Sequence, residues 1–333
     1  MAQISSSIIH IAKPVPQFYS VFCQSELLEI IQALELRKEI PLKYSYKGRG
    51  AKIWDDFYLK FIIPTWYRRS NVEIDLLNQS FDYINGNFEH SKKINVIDVG
   101  AGNSYPVKQF IHKLNQLGKL NKYLALDISE ELLHLSKNNF KKWFPLVEFI
   151  SNPIDIENNS IPQSWLNDDI SKIILHLGVT IGNHLNRDRV FKNFRESMGN
   201  NDLLVFTNEI GSNSQWDGKV RGGCNYHAQQ IYGWVKNNIG IRSEDCELVR
   251  KYDLATDSVV ANIRFFHDYT INFSWMGIDK NIQISAGEEI TIWRHHKHEL
   301  SELIQELKAA ELELIHYNVN KYSSHVIAIC KVA

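Results

Sequence analysis

Two hydrophobic patterns alternate between residues 94 and 210. The short β-branched runs "INVIDVG", "KYLALDIS", "LVEFISNPID", "SKIILHLGV" and "NDLLVFTNEI" predict strands. The stretches "YPVKQFIHKLNQLG", "EELLHLSKNNFKKWF" and "NRDRVFKNFRESM" place apolar residues at helical spacing and separate most of them. Strands alternating with helices predict right-handed crossovers and a mostly parallel sheet covered on both faces, hence an α/β fold. The alternation lapses between about 214 and 295, where "YHAQQIYGWVKNNIGI" predicts a helix and "VVANIRFFHDYTINFSW" with "NIQISAGEEITIW" predicts antiparallel strands. A second, smaller α+β unit is expected there. The end of the chain, from Lys297, predicts an amphipathic helix and two strands that rejoin the sheet as an antiparallel edge pair. Near the start, "SELLEIIQALELR" predicts a surface helix with a Ser cap, and "YSYKGRGAKIWDDFYLKFIIPTWYRRS" an aromatic loop with short helices. The expected division is 70–213 with 296–333 for the sheet domain, and 1–69 with 214–295 for the accessory domain.

Composition narrows the partners. The 333 residues are 44% hydrophobic and 23% charged, in the range of a soluble globular protein. Lys plus Arg (37) nearly cancels Asp plus Glu (38), so no global field steers the chain to nucleic acid or to an anionic membrane. A small molecule is the expected partner. Four cysteines without a C-x-x-C pair speak against a disulfide framework and a zinc ribbon, and a reducing cytoplasm fits them best. The N-terminus lacks the basic start and apolar run of a secretory signal, and no stretch approaches the ~20 apolar residues of a membrane span. A monomer or homodimer is expected.

Chemistry enters at "VIDVGAGNSYPVKQF", a strand, a Gly-x-Gly turn and a helix. Ligands of open parallel sheets sit at the carboxyl ends of strands, and Gly100 and Gly102 let the backbone approach one without a Cβ in the way. Asp127 ends the next strand, where a carboxylate can accept both ribose hydroxyls, and Asp155 ends the third, placed for an adenine amino group. Position six of the turn is Tyr105 rather than Gly or Ala, which removes the close helix approach of a dinucleotide site. S-adenosylmethionine therefore fits better than NAD. Asp98, inside the first strand, either touches the ligand's amino group or organises the loop.

The segment "LGVTIGN" followed by a helix resembles the histidine-specific methyltransferase family of ergothioneine biosynthesis, whose other members methylate the amino nitrogen of related amino acids. Supporting stretches occur in the same order: "YSYKGRGAKIWDDF", "IPTWY", "LALDIS", "FPLVEFISNPID", "NYHAQQIYGWVKNNI", "AGEEI" and "AAELELIHY". The resemblance implies a class I methyltransferase Rossmann-like sheet with an inserted substrate domain, acting as an S-adenosylmethionine-dependent N-methyltransferase on an amino acid or related small amine in specialised biosynthesis. It implies cofactor contacts at Gly100, Asp127, Asp155 and Ile156. It also implies that Asn183 and Tyr226 hold the substrate's amino and carboxylate groups, with Gly178 lining the pocket by its backbone. Tyr46 matches the tyrosine of the N-terminal aromatic loop, and Tyr67 or Trp66 the tyrosines after the proline. Without the resemblance, Asn183 reads as a helix cap, because "GNHLNRDRV" opens a helix.

One departure stands out in "ITIWRHHKHEL". Where the histidine-specific enzymes carry a Glu and, two residues on, a Ser that hold the substrate imidazole, the same steps from "AGEEI" land on Trp293 and His295. Residues two apart on a strand share a face, so both are expected in the pocket with Arg294 pointing away. Without the carboxylate, free histidine is not the expected substrate. His296, Lys297 and His298 are expected to face solvent, and no metal site is expected, because the three histidines do not share a strand face. Two other readings remain open: a small-molecule O-methyltransferase using His295 or His184 as base, and a cofactor-binding scaffold without catalysis.

Overall fold

The alternating strand and helix signals become one mixed sheet in the computed structural model of the protein, which describes residues 9–62, 72–166, 170–216 and 223–333. In chain order the elements begin with β1 (His10–Ala12), α1 (Pro16–Tyr19), α2 (Gln24–Arg37), α3 (Arg49–Phe57), α4 (Val72–Gln79) and α5 (Phe81–Gly86). There follow β2 (Ile94–Val99), α6 (Lys108–Gln116), β3 (Leu120–Asp127), α7 (Glu130–Trp143), β4 (Glu148–Pro153), β5 (Ser171–His176), α8 (Arg187–Glu196) and β6 (Leu203–Glu209). The rest is α9 (Gly223–Ile239), β7 (Cys246–Asp253), β8 (Ser258–Phe265), β9 (Tyr269–Trp275), β10 (Ile278–Ile284), β11 (Glu289–His295), α10 (Leu300–Ala309), β12 (Leu312–Val319) and β13 (His325–Val332). Two compact units result: Met1–Trp54 with Trp216–Arg294, and Asp55–Gln215 with His295–Ala333.

The larger unit is built on a seven-stranded sheet of order β12-β13-β6-β5-β2-β3-β4. Strands β6, β5, β2, β3, β4 and β12 run in one direction, and β13, antiparallel to both β6 and β12, is reversed, so the last two strands form the antiparallel edge pair that the terminal pattern predicts. This is the class I methyltransferase arrangement. Alternation along each strand feeds two cores. Val96, Tyr123, Ile173 and Val205 pack with α4, α5, α6 and α7, and Ile97, Leu124, Ile174 and Leu204 pack with α8 and α10. With both faces covered, the central strands β2, β5 and β6 are buried almost end to end, which is why they read as nearly continuous apolar runs.

The smaller unit holds two three-stranded sheets, β1-β9-β10 and β11-β8-β7. Strand β1 pairs parallel with β9, and β10 pairs antiparallel with it. Helix α2 opens one residue before the expected Ser25: Cys23 is its cap, and Glu26 reaches back to accept the Cys23 amide at 3.0 Å. The expected Ser cap is thus replaced, and the Ser25 hydroxyl meets Cys23 Sγ at 3.1 Å.

The chain leaves the smaller unit within α3, at Trp54, earlier than the expected residue 69. Asp55 explains this, because it accepts a hydrogen bond from Asn103 Nδ2 at 2.8 Å and so belongs with the glycine turn. Among the described residues no helix is long and apolar enough to cross a membrane.

Candidate functional site

Strand β2 ends in a turn through Gly100 (φ 76) and Gly102 (φ 53), both in the left-handed region that glycine tolerates. The amides of Gly100 and Ala101 both donate to the Leu126 carbonyl, at 2.8 and 3.0 Å, and the Gly102 amide donates to Asp127 Oδ2 at 2.9 Å. A Cβ on Gly100 would meet only the His176 ring, at 3.8 and 3.9 Å, so this edge of the turn is open. The helix expected from Tyr105 begins later, at Lys108. Asn103 delays it: its Oδ1 accepts the Tyr105 amide at 3.1 Å while its Nδ2 holds Asp55.

Three carboxylates, in or just after the neighbouring strands β2, β3 and β4, differ in role. Asp127 accepts the Ser129 amide on Oδ1 at 2.9 Å and the Gly102 amide on Oδ2. The Ile128 amide bears on the carboxylate as well, and the acceptor capacity that remains is of the kind a ribose hydroxyl needs. Burial pushes its carboxyl up to about 6 against these bonds. Asp98 instead takes the Tyr123 hydroxyl, and burial pushes it up to about 7. That bond ties Asp98 to the neighbouring strand β3. Asp155 folds its own turn, accepting from the Glu157 amide at 3.2 Å and from Asn158 Nδ2 at 2.6 Å. Ile156 beside it is buried and is anchored by Asn193 Nδ2, which donates to its carbonyl at 2.6 Å. An open glycine edge, a ribose-type carboxylate and an apolar residue beside a carboxylate form a donor set that fits S-adenosylmethionine.

The "TIGN" segment follows β5. Gly178 (φ 86) and Val179 (φ 51) both turn left-handed, an uncommon conformation for a β-branched residue, and Thr180–Asn183 makes a short 3-10 turn. Strain of this kind collects where a loop is held for function. The cap of α8 is Asn186, whose side chain accepts the Arg189 amide at 3.1 Å. Asn183 is therefore not the cap. Its side-chain oxygen lies 3.1 Å from His295 Nδ1.

His295 is 5% exposed, and burial pulls its imidazole down to about 4, so the ring is neutral near pH 7. A carboxylate does stand beside it, supplied by β6: Glu209 lies 3.8 Å from His295 Nε2, 3.4 Å from Lys297 Nζ and 3.9 Å from His325 Nε2. Burial raises the Glu209 carboxyl, but these three basic groups outweigh it and hold it below its ordinary value. Sequence reasoning missed Glu209, although the rule that singles out Asp127, an acid at the carboxyl end of a parallel strand, applies equally to it. Glu73 on α4, missed as well, accepts the Thr207 hydroxyl at 2.8 Å.

His296 and His298 correct an expectation. They are 1% and 0% exposed rather than solvent-facing. His296 Nε2 lies 2.9 Å from Glu302, and His298 Nε2 lies 2.9 Å from Glu306, both on α10. The three histidines thus turn to different partners. Arg294 is buried too, 3.1 Å from Glu39 within the smaller unit.

Also in the smaller unit, the Tyr46 ring stacks on His227 at 5.8 Å, and Trp293 is buried in β11. Tyr226 falls in α9, its side chain outside the described residues, as are Trp66 and Tyr67.

Comparison with known proteins identifies the family. Residues 26–215 match the profile of the histidine-specific, S-adenosylmethionine-dependent methyltransferases. Ergothioneine biosynthesis protein 1 of Neurospora crassa is 25% identical over 228 residues, 66% of this chain, which spans 23% of that protein's length. Among solved structures, an S-adenosylmethionine-dependent methyltransferase from Clostridium acetobutylicum superposes with a TM-score of 0.44 at 13% identity, over 94% of this chain and 100% of that chain. Magnesium protoporphyrin IX methyltransferase from Synechocystis, solved with bound SAH, gives 0.47 at 8% identity, over 87% and 98%. With more than half of its length inside the family profile, the chain belongs to the histidine-specific, S-adenosylmethionine-dependent methyltransferases.

Proposed function

We propose that the protein is an N-methyltransferase acting on the amino nitrogen of an amino acid or related small amine other than histidine, in specialised metabolite biosynthesis. The observation that carries this reading is Asn183. It sits after a carboxyl strand end, is relieved of capping by Asn186, and is held by a neutral His295. Gly100, Gly102, Asp127, Asp155 and Ile156 would hold S-adenosylmethionine. When bound, the cofactor supplies an electrophilic methyl group to the nitrogen lone pair, the C–S bond breaking with its electrons kept by sulfur. The protein's work is then alignment at near-attack distance, and Asn183 orients the nitrogen. An α-amino group has a reference pKa of about 7.7–8.0, so part of it is already neutral near pH 7 and no strong base is needed. Glu209 does not replace the carboxylate absent at Trp293, because His295, His325 and Lys297 already engage it. The resemblance retains Tyr46, Tyr226, Trp293, Gly178 and one of Trp66 and Tyr67 as substrate contacts.

A panel of amino acids and amines incubated with enzyme and cofactor, read by mass shift and nitrogen-specific NMR, tests the reading. Asn183→Ala should abolish turnover and spare cofactor binding. Histidine turned over far faster than every other amine would overturn the substrate assignment. The His295–Glu209 pair favours one rival, O-methylation of a hydroxyl with the imidazole as base, and an O-methyl product would establish it.

A further inference from the structure

We propose that Glu209 is a positioning residue for methyl transfer, acting through the His295 ring to fix the sense of the Asn183 amide. This rests on the reading of Asn183 as the group that orients the substrate nitrogen. Strands β5 and β6 are parallel neighbours, so the "TIGN" turn that follows β5 and Glu209 at the end of β6 emerge at the same edge of the sheet. His295 lies between them, Nε2 3.8 Å from the Glu209 carboxylate and Nδ1 3.1 Å from the Asn183 side-chain oxygen position. Gly182 makes room for this: a Cβ there would lie 2.8 Å from His295 Cε1.

A neutral imidazole carries one ring hydrogen, and its surroundings choose the nitrogen. The anionic Glu209 draws it to Nε2. The bare Nδ1 then faces Asn183 as an acceptor and is met by the amide NH2. The two ends of an amide have the same outline, so the side chain fits in this sense without other movement. Its oxygen is turned away from the ring and becomes an acceptor for an amine N–H. Holding that hydrogen fixes the direction of the nitrogen lone pair, which is what an in-line displacement requires. Lys297 and His325 face Glu209, and Lys297, His296 and His325 also bear on the imidazole. Lys297, 3.4 Å from the same carboxylate oxygen, keeps Glu209 ionised and so keeps the bias in place.

Two measurements test the relay. Nitrogen–proton NMR of labelled histidine rings, with the His295 signals assigned by their loss in His295→Gln, should show the Nε2–H form in the wild type. Glu209→Gln should shift it toward Nδ1–H, and Glu209→Asp should keep Nε2–H. In steady state, Glu209→Gln should lower kcat/KM for the amine by about 10- to 100-fold with cofactor affinity unchanged, the scale seen when a partner that orients a histidine is removed, and Glu209→Asp should recover part of the loss. An Nδ1–H form in the wild type, or full turnover by Glu209→Gln, overturns the proposal. Where Glu209→Gln does not fold, the wild-type ring form and the charge-keeping Glu209→Asp decide it. The ring form is read without substrate, so a wild type that methylates oxygen refutes the proposed function and leaves the tautomer result standing on its own.

Discussion

Gly182→Ala adds one methyl group at the tightest point of the candidate site. The new Cβ would fall 2.3 Å from the His296 carbonyl oxygen, 2.8 Å from Asn208 Oδ1 and 2.8 Å from His295 Cε1. The first contact is with backbone that cannot swing aside: the His296 amide donates to the Gly182 carbonyl at 2.7 Å, and Asn208 Nδ2 donates to the His296 carbonyl at 3.0 Å. Relieving the clash requires the two segments to part by roughly 1 Å, which takes the 2.7 Å bond out of hydrogen-bonding range. Overpacking costs about 1–3 kcal/mol and a lost backbone bond about 1 kcal/mol, hence about 2–4 kcal/mol in all. In a chain of 333 residues that is a melting-point loss on the order of 3–6 °C. Thermal unfolding followed by circular dichroism reads it, with Gly86→Ala as control, since a Cβ at Gly86 meets nothing within 4 Å. The displaced His295 should also cost amine turnover more than cofactor affinity. A Gly182→Ala protein that melts within a degree of wild type and turns over normally would refute the packing argument.

Three further outcomes follow from the same geometry. Cofactor affinity should strengthen as pH rises from 5 to 7: the free Asp127 carboxyl sits at about 6, the ribose hydroxyls need its ionised form, and below that pH binding must release a proton. Calorimetry of Asp127→Asn should show weaker binding with that rise lost, and equal wild-type affinity at both pH values would remove Asp127 from the site. Asn186→Ala should cost about 1 kcal/mol of stability through the lost α8 cap, read by chemical denaturation, with turnover unchanged because Asn183 does not share the capping. Gly233→Ala, inside α9 with nothing within 4 Å of the added Cβ, should stabilise by up to about 1 kcal/mol; a destabilised variant would show that space is needed there.

How much of this was legible in the sequence depends on whether a residue's placement follows from its own neighbourhood or from distant partners. The parallel strands were legible because burial on both faces forces apolar runs, and the terminal helix and strand pair because their periods are clean. Strand β1 was not: three residues gain a partner only from β9, far along the chain. Strand β7, "CELVRKYD", carries charges along a half-exposed face that hides its alternation. The glycine turn and Asp127 could be read from spacing, whereas the delayed start of α6 depends on Asn103 reaching Asp55. The histidine stretch shows the limit most clearly. Polar letters between a strand and a helix read as solvated, since burying an imidazole without partners is costly. Here the partners exist. Glu302 and Glu306, four apart on one face of α10, meet His296 and His298, while Asn213 and Asn208 meet the opposite ring nitrogens at 3.2 and 2.6 Å. Local sequence cannot show that two asparagines elsewhere in the unit complete this lattice. It pins the chain immediately after His295, so the ring between Glu209 and Asn183 is held by polar groups whose burial becomes tolerable only once the fold has assembled them.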